Sequence, residues 1–384
     1  MAGGFRLRPR GRLRPCGESI VIYPAILYNT TGLNADRDFI KGIMAFAAPA
    51  MLPAFAGRGE KSVGKDGINM QDTTPLHPGQ TVLYQIAPER DSLMMSYVIK
   101  TQNDQVIVVD GGIDGVGRDR PVYLLDALRV ITGKTRPVIS GWFFTHSHTD
   151  HLHEFVKMVQ TEKEQFRVEA FYFNLPDESV LSRFDPDALG IYQRFSAAYC
   201  AYVGNADAME QYRAWQAVKP GMRISIDNAE TEILQIWDAS DPTTNDTSTV
   251  FRVSVNGKKI LFLGDLGTAG GRRLCNTYGD GLASDLVQMA HHGQNGVRRP
   301  VYEAIRPAVC LWPTPIWVWE NRDAAGIEGK GIYETTTVRE WMGALDTEAA
   351  DFNKRHIVSA YLAKRDGESW QDALKRMAVI LPAG

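Results

Sequence analysis

The chain has 384 residues, of which 44% are hydrophobic and 23% charged, with a formal net charge of −3. That length suits one large domain with terminal extras, and the charge balance excludes an extended nucleic-acid surface or a polybasic membrane contact. The cysteines Cys16, Cys200, Cys275 and Cys310 show no CxxC spacing, which excludes a zinc ribbon and a disulfide-dense scaffold. No apolar run reaches the roughly 18–20 residues that cross a bilayer, so no membrane span is expected.

Residues 1–33 form a basic tail in which Arg6, Arg8, Arg10, Arg12 and Arg14 alternate with small or apolar residues. Residues 34–56 read as an export signal: the charged NADRDFIKG precedes the apolar IMAFAAPAMLPAFA, and Ala54-Phe55-Ala56 offers an A-x-A cleavage site. DRDFIKG also resembles a twin-arginine export motif, with Asp36 where the first arginine would stand. The route, twin-arginine or general secretion, stays open at this point, and the expected location is periplasmic or extracellular. Because such signals lie at a true N-terminus, the basic tail is expected not to be translated natively, with Leu33 marking a non-standard start. Residues 57–78 read as a polar linker and residues 79–384 as one folded domain.

Within that domain TVLYQIA, MMSYVIKT and QVIVVDGG are β-branched and aromatic runs separated by turn-formers, and predict paired strands. PVYLLDALRVITG has helical spacing and a glycine stop at Gly133. PVISGWFFT predicts a buried strand delivering the histidines of HSHTDH at its C-terminal end, with LHEFVKMV continuing as a helix and VEAFYFN as a strand. A long helical region follows from Asp187 to Val218, and then RISI, EILQIWDA, TVFRVSV and KKILFLGD return as strands, the last two joined by the hairpin signal Asn256-Gly257. LVQMAHHG and AVCLWPT are two further strand endings, and VREWMGAL, WQDALKRM and AVILP close the chain as helices and a last strand.

Four of the eight histidines lie in FFTHSHTDHLHEF, Phe143 to Phe155. Imidazole and carboxylate suit zinc, and a catalytic site needs ligands fixed by the fold together with an open position. His146 and His148, two apart at a strand end, can point the same way. Asp150 and His151, as the chain turns into a helix, face a neighbouring position, so the turn offers two pairs of ligands for two adjacent ions. Asp265, ending a strand, can bridge two cations. Adjacent residues of a strand face opposite ways, so one of His291 and His292 is expected to bind metal. His153 and Glu154 are expected on the surface of the outgoing helix, and His77 and His356 as isolated histidines. Trp312, Trp317 and Trp319 read either as an aromatic cup for a substrate or as packing.

HSHTDH matches the HxHxDH signature of the metallo-β-lactamase superfamily, Asp110-Gly111-Gly112 its early DGG, and Gly264-Asp265 its later GD, so that roughly residues 80 to 320 resemble that family. The resemblance implies an α/β fold of the α+β type, a four-layer αββα sandwich with the site along one edge of its two sheets. It implies metal ligands at His146, His148, Asp150, His151, Asp265 and His292, with His291 and Asp110 supporting them. His291-His292-Gly293 and the stretch before Asp265 look like the branch that includes the hydrolase domain of DNA-uptake channels and phosphorylcholine esterase. One departure stands out: where many members carry a further histidine, Asn245 falls here, which leaves the first metal fewer ligands and more open to manganese.

Two zinc ions would supply a hydroxide already deprotonated and aimed, with Asp150, Asp265 and His291 as the catalytic group and Asn245 beside it. The leading expectation is therefore an exported metal-dependent hydrolase of a phosphodiester, acting on a small-molecule or cell-envelope substrate. A hydrolase of lactone, thioester or amide bonds, and a metal-binding protein without turnover, are the alternatives. Oligomeric state has no signature in the sequence.

Overall fold

The computed structural model describes residues 72–88, 92–113 and 123–382; the basic tail, the export signal and most of the linker lie outside them. In chain order the strands are β1 Val82–Gln85, β2 Tyr97–Lys100, β3 Val106–Val109, β4 Val138–Ile139, β5 Gly141–Phe143, β6 Arg167–Val168, β7 Phe171–Tyr172, β8 Arg223–Ile226, β9 Ala229–Gln235, β10 Val250–Val255, β11 Lys258–Phe262, β12 Leu286–Gln288, β13 Val309–Trp312, β14 His356–Val358 and β15 Ala378–Ile380. One sheet runs β15-β1-β2-β3-β5-β7 and the other β14-β13-β12-β11-β10-β9-β8. The strands after β3 in the first sheet and after β11 in the second join in parallel, while the earlier ones are antiparallel.

Side chains alternate between the faces of a strand, and here both faces are apolar because both are covered. In the first sheet Leu83, Tyr97, Ile99, Ile107, Val109 and Phe143 face the second sheet, where they meet residues such as Phe251, Val253 and Phe262. Their strand neighbours Val82, Tyr84, Val98, Val106 and Val108 pack instead under helices Tyr123–Thr132, Thr149–Glu162, Pro186–Val203 and Trp370–Met377. On the far side Leu261, Val287, Cys310 and Trp312 pack under helices Thr268–Tyr278, Arg299–Ile305 and Thr335–Met342. The layers are therefore helix, sheet, sheet, helix, the αββα sandwich expected. Phe143 sits between the sheets, 4.6 Å from Tyr172 and 5.0 Å from Phe251 by ring centroid; trimming such a buried aromatic to alanine costs about 3–5 kcal/mol.

Several elements differ from the sequence expectation, each for a local reason. PVISGWFFT is split, with β4 pairing with β6 as a separate ribbon and β5 entering the main sheet; VEAFYFN is divided likewise into β6 and β7. The long helical region breaks at Gly204, whose φ of 78° ends helix Pro186–Val203 before helix Ala208–Trp215 begins. The described end of the linker is held on the domain: Thr73 N and Leu76 N donate to Gly133 O and Ile131 O at 2.7 and 3.0 Å, and Leu76 is buried. AVILP pairs antiparallel with β1, so the chain's last strand closes the sheet that its first described strand opens. The Asn256-Gly257 hairpin is present, with φ of 51° and 73°.

Candidate metal centre

The cluster gathers at the C-terminal ends of β3, β5, β11 and β12, where parallel strands of the two sheets end at one edge of the sandwich. Asp110 leaves β3 with φ 53°, and its carboxylate accepts from Thr145 N and Thr145 Oγ1, both at 2.8 Å. Gly111 N donates to His151 O at 2.6 Å, an approach so close that a Cβ there would sit 3.2–3.3 Å from the backbone of Phe155 and His151. The DGG run is thereby explained: it pins the first turn of helix Thr149–Glu162, which carries Asp150 and His151. Gly264 serves the other sheet similarly, since at φ 56° a Cβ would lie 2.8–2.9 Å from Ser248 and Thr145.

Two overlapping ligand sets result. One comprises Asp150, His151, Asp265 and His292, the other His146, His148 and Asp265, and within each the ligand atoms lie within 4.8 Å of one another. Zinc–ligand bonds of about 2.0–2.1 Å put tetrahedral ligand atoms roughly 3.4 Å apart. In the first-named set the separations are 3.3 Å from His151 Nε2 to Asp265 Oδ1, 3.5 Å from His292 Nε2 to Asp265 Oδ2, 2.8 Å from His292 Nε2 to Asp150 Oδ2 and 4.0 Å from His151 Nε2 to Asp150 Oδ2. In the other set His146 Nε2 is 3.0 Å from His148 Nδ1 and 3.9 Å from Asp265 Oδ2. His151 Nε2 and Asp265 Oδ1 are buried and have no hydrogen-bond partner among the described residues. Buried polar atoms are normally paired, so this donor set fits a cation.

Each imidazole is oriented by a group outside the cluster, which fixes the tautomer. Asp110 Oδ2 lies 2.8 Å from His151 Nδ1, Pro313 O 2.8 Å from His292 Nδ1, and Asp185 Oδ2 3.3 Å from His148 Nε2. The opposite nitrogen of each ring is left to face inwards. His146 Nδ1 lies 3.2 Å from Thr145 Oγ1, leaving its Nε2 inward. The ligands are almost wholly enclosed except His148 and Asp150, whose side chains are 18% and 16% exposed, so these two form the open side.

The charges are mutually coupled. Burial lowers His146 well below the ordinary histidine range, and His151 and His148 add to the effect. Burial also opposes protonation of His151 and His292, but Asp265 and its acidic neighbours outweigh it, lifting His151 well above the usual value and His292 to about 10. The reciprocal attraction of His151 and His292 holds Asp265 low in spite of burial. Burial raises Asp110, although His151 and Thr145 pull it down.

His291 and His292 do not lie on a strand. Both are in the left-handed region (φ 50° and 55°) within the short turn Ala290–Gly293, so strand alternation is not the reason they differ. The turn, held by His291 N donating to Gly264 O at 3.2 Å, aims His292 at the cluster and leaves His291 Nε2 3.3 Å from Asn245 Nδ2. Asn245 Oδ1 is buried without a hydrogen-bond partner among the described residues. Glu154 is fully buried, not on the helix surface, and accepts from Leu124 N at 3.4 Å; His153 is half-buried. Trp312 and Trp319 are core, 0% and 2% exposed, which removes them from any aromatic cup, while Trp317 is half-buried against Tyr333.

Asp185, Thr145 and Pro313 are the supporting groups that motif reading passed over. Asp185 carried one signal, an Asp-Pro helix start, and it does cap helix Pro186–Val203 through Asp187 N and Ala188 N.

No protein-family model matches the chain. Over 128 residues it is 30% identical to the competence protein ComA of Neisseria gonorrhoeae, a match covering 31% of this chain and 17% of that protein. The chain thus spans about a sixth of the length of that curated relative. Among solved structures it is similar to the metallo-β-lactamase fold protein YhfI of Bacillus subtilis (12% identity, TM-score 0.35, 60% of this chain and 85% of that one). It is also similar to CmlA, a diiron β-hydroxylase of Streptomyces venezuelae (12%, TM-score 0.35, 62% and 46%), and to a diphosphatase of the PhnP family (11%, TM-score 0.30, 57% and 72%).

Proposed function

We propose that this chain, whose fold is the metallo-β-lactamase sandwich, is an exported two-metal hydrolase of phosphodiesters, using zinc and accepting manganese. The observation that carries the reading is the position of Asp265: its carboxylate belongs to both ligand sets, with Oδ2 3.5 Å from His292 Nε2 and 3.9 Å from His146 Nε2, beside a buried His151 Nε2 without a hydrogen-bond partner among the described residues. His146, His148, Asp150, His151, Asp265 and His292 would hold the ions. When bound, such a pair supplies Lewis acidity and brings the pKa of water to about 7.

The chain's own residues then divide the remaining work. Asp110, Asp185 and the Pro313 carbonyl keep the imidazole protons on the outer nitrogens, so the inner ones arrive as lone pairs. Asn245 Nδ2, a donor, faces His291 Nε2 and places the His291 proton at Nδ1, where it is a hydrogen-bond donor for a phosphoryl oxygen. His148 and Asp150, on the open side, are where substrate enters. Among the described residues no helix is long and apolar enough to cross a membrane; residues 34–56 are read as the export signal, residues 57–78 as the linker, and the catalytic domain as starting near residue 79.

The test is a panel of bis-p-nitrophenyl phosphate, a lactone and a chromogenic cephalosporin, run on protein loaded with zinc and with manganese. Turnover of the phosphodiester above the others is expected, and turnover of the lactone alone would overturn the substrate class. Fewer than one metal per chain together with unchanged activity in Asp265→Ala would overturn the enzyme reading. A native N-terminus near Gly57 is expected for export, and an intact Met1 would sink it.

A further inference from the structure

A cavity of about 390 Å³ is lined by Asn245 and by His291, the chain neighbour of the ligand His292. Its remaining wall carries the donors Arg272, Arg298, Asn295 and Thr268, together with Thr243, whose hydroxyl is committed to Asp246. One carboxylate, Asp246, is present, but it is buried and its oxygens are taken, accepting from Gly270 N at 2.8 Å and Thr243 Oγ1 at 2.9 Å. Gly267 makes that possible, since a Cβ there would lie 2.7 Å from Asp246 Oδ1. Asp246 thus caps helix Thr268–Tyr278 and its charge is offset by the helix end. Arg298 donates from Nε to Thr268 Oγ1 at 3.1 Å and from Nη1 to Glu334, which fixes its guanidinium at the rim. Arg272 is exposed and has no hydrogen bond or ion pair among the described residues.

A concave site with one guanidinium held at its rim by Glu334, another uncommitted and its lining carboxylate already satisfied is matched to an anion, and the planar fork of a guanidinium suits a phosphate. Resting on the phosphodiester reading, we propose that this cavity is a subsite for a second phosphate of the substrate, the one next to the bond cut at the cluster. His291 is the shared wall: His292 beside it faces the ligand set, their ring centroids 6.2 Å apart, while His291 itself lines the cavity. The substrate class narrows accordingly, from any phosphodiester to one with an adjoining phosphate.

The experiment uses metal-loaded full-length protein, bis-p-nitrophenyl phosphate as reporter, and three dithymidine ligands: TpT, pTpT and TpTp. KM is read for a ligand that is cut and Ki for one that is not. For the wild type, one of the two terminally phosphorylated ligands is expected to bind about tenfold more tightly than TpT; which one tells the polarity with which the substrate lies. Arg272→Glu is expected to abolish that preference and Arg272→Lys to restore part of it, and because Arg272 is bonded to nothing among the described residues the melting temperature should not move. Equal binding of all three ligands to the wild type, or a preference that survives Arg272→Glu, overturns the subsite. If the reporter is not hydrolysed at all, the phosphodiester reading has failed. Calorimetric Kd values for the same ligands on wild type and Arg272→Glu then still decide the subsite.

Discussion

The two halves of the cluster are built to different standards. The half made by Asp150, His151 and His292 has four protein ligands with Asp265, and its histidines are braced by Asp110, itself fully buried, and by a backbone carbonyl. The half made by His146 and His148 has three ligands with Asp265, and His148 is braced by Asp185, whose side chain is 16% exposed, at a longer 3.3 Å. A ligand held by a buried carboxylate is preorganised before the ion arrives, whereas one held at the rim competes with water. The difference teaches that a shared bridge does not make two equal sites: the first half, that of His146 and His148, should be the weaker and the more exchangeable.

Asp265→Ala attacks what the halves share and should have the largest effect. Both ions should be lost by elemental analysis and hydrolysis should fall by more than about 10³-fold; retention of one ion would mean that the halves are independent. Asp110→Ala should weaken the well-braced half by about 10–100-fold in zinc affinity, read by chelator competition, and leave the first half in place. Asp185→Ser, which keeps the helix cap, should lower manganese affinity of the first half by roughly tenfold while two-step zinc titration finds the other half unchanged. An equal loss from both halves would dissolve the comparison. Asn245→His offers the opposite change, an added imidazole beside His291, and a fourth ligand gained by the first half should narrow the affinity gap by about tenfold.

The smallest effect separates metal loss from fold loss at low pH. Burial, with Arg355 nearby, lowers His356 to about 4, while the unfolded chain holds this histidine near 6.5. Between those values only the unfolded state takes up the proton, so stability falls as pH drops from about 6.5 and the fall levels off near 4. Urea melts should register about 1–3 kcal/mol across that window. The slope should flatten in His356→Gln, which still offers an acceptor to Trp312 Nε1.

What was legible in the sequence follows from how local each signal is. HSHTDH, DGG and GD are short because a strand end, a tight turn and a first helical turn fix their ligands within a few residues, so fold and ligand types could be read together. Asp185 could not be read as a partner of His148, since 37 residues separate them and only the packing of helix Pro186–Val203 against helix Thr149–Glu162 brings them together. The Pro313 carbonyl has no side-chain signature at all. His291 and His292 were misread as strand because left-handed φ in a residue with a Cβ is set by tertiary contacts. The tryptophans after β13 were ambiguous because aromatic content does not say which face is covered.

Asp150 and His292 stand 142 residues apart in the chain, and they follow strands of the two different sheets, Asp150 after β5 and His292 after β12. An ion held between them would act as a cross-link closing a loop of that length, between two layers that meet through apolar side chains and a few hydrogen bonds such as Gln85 Nε2 to Trp312 O. Because the ion would bind the folded chain and not the unfolded one, its binding free energy would add to the stability of the fold. Loss of the ion would then open the chain to proteolysis as well as remove its activity.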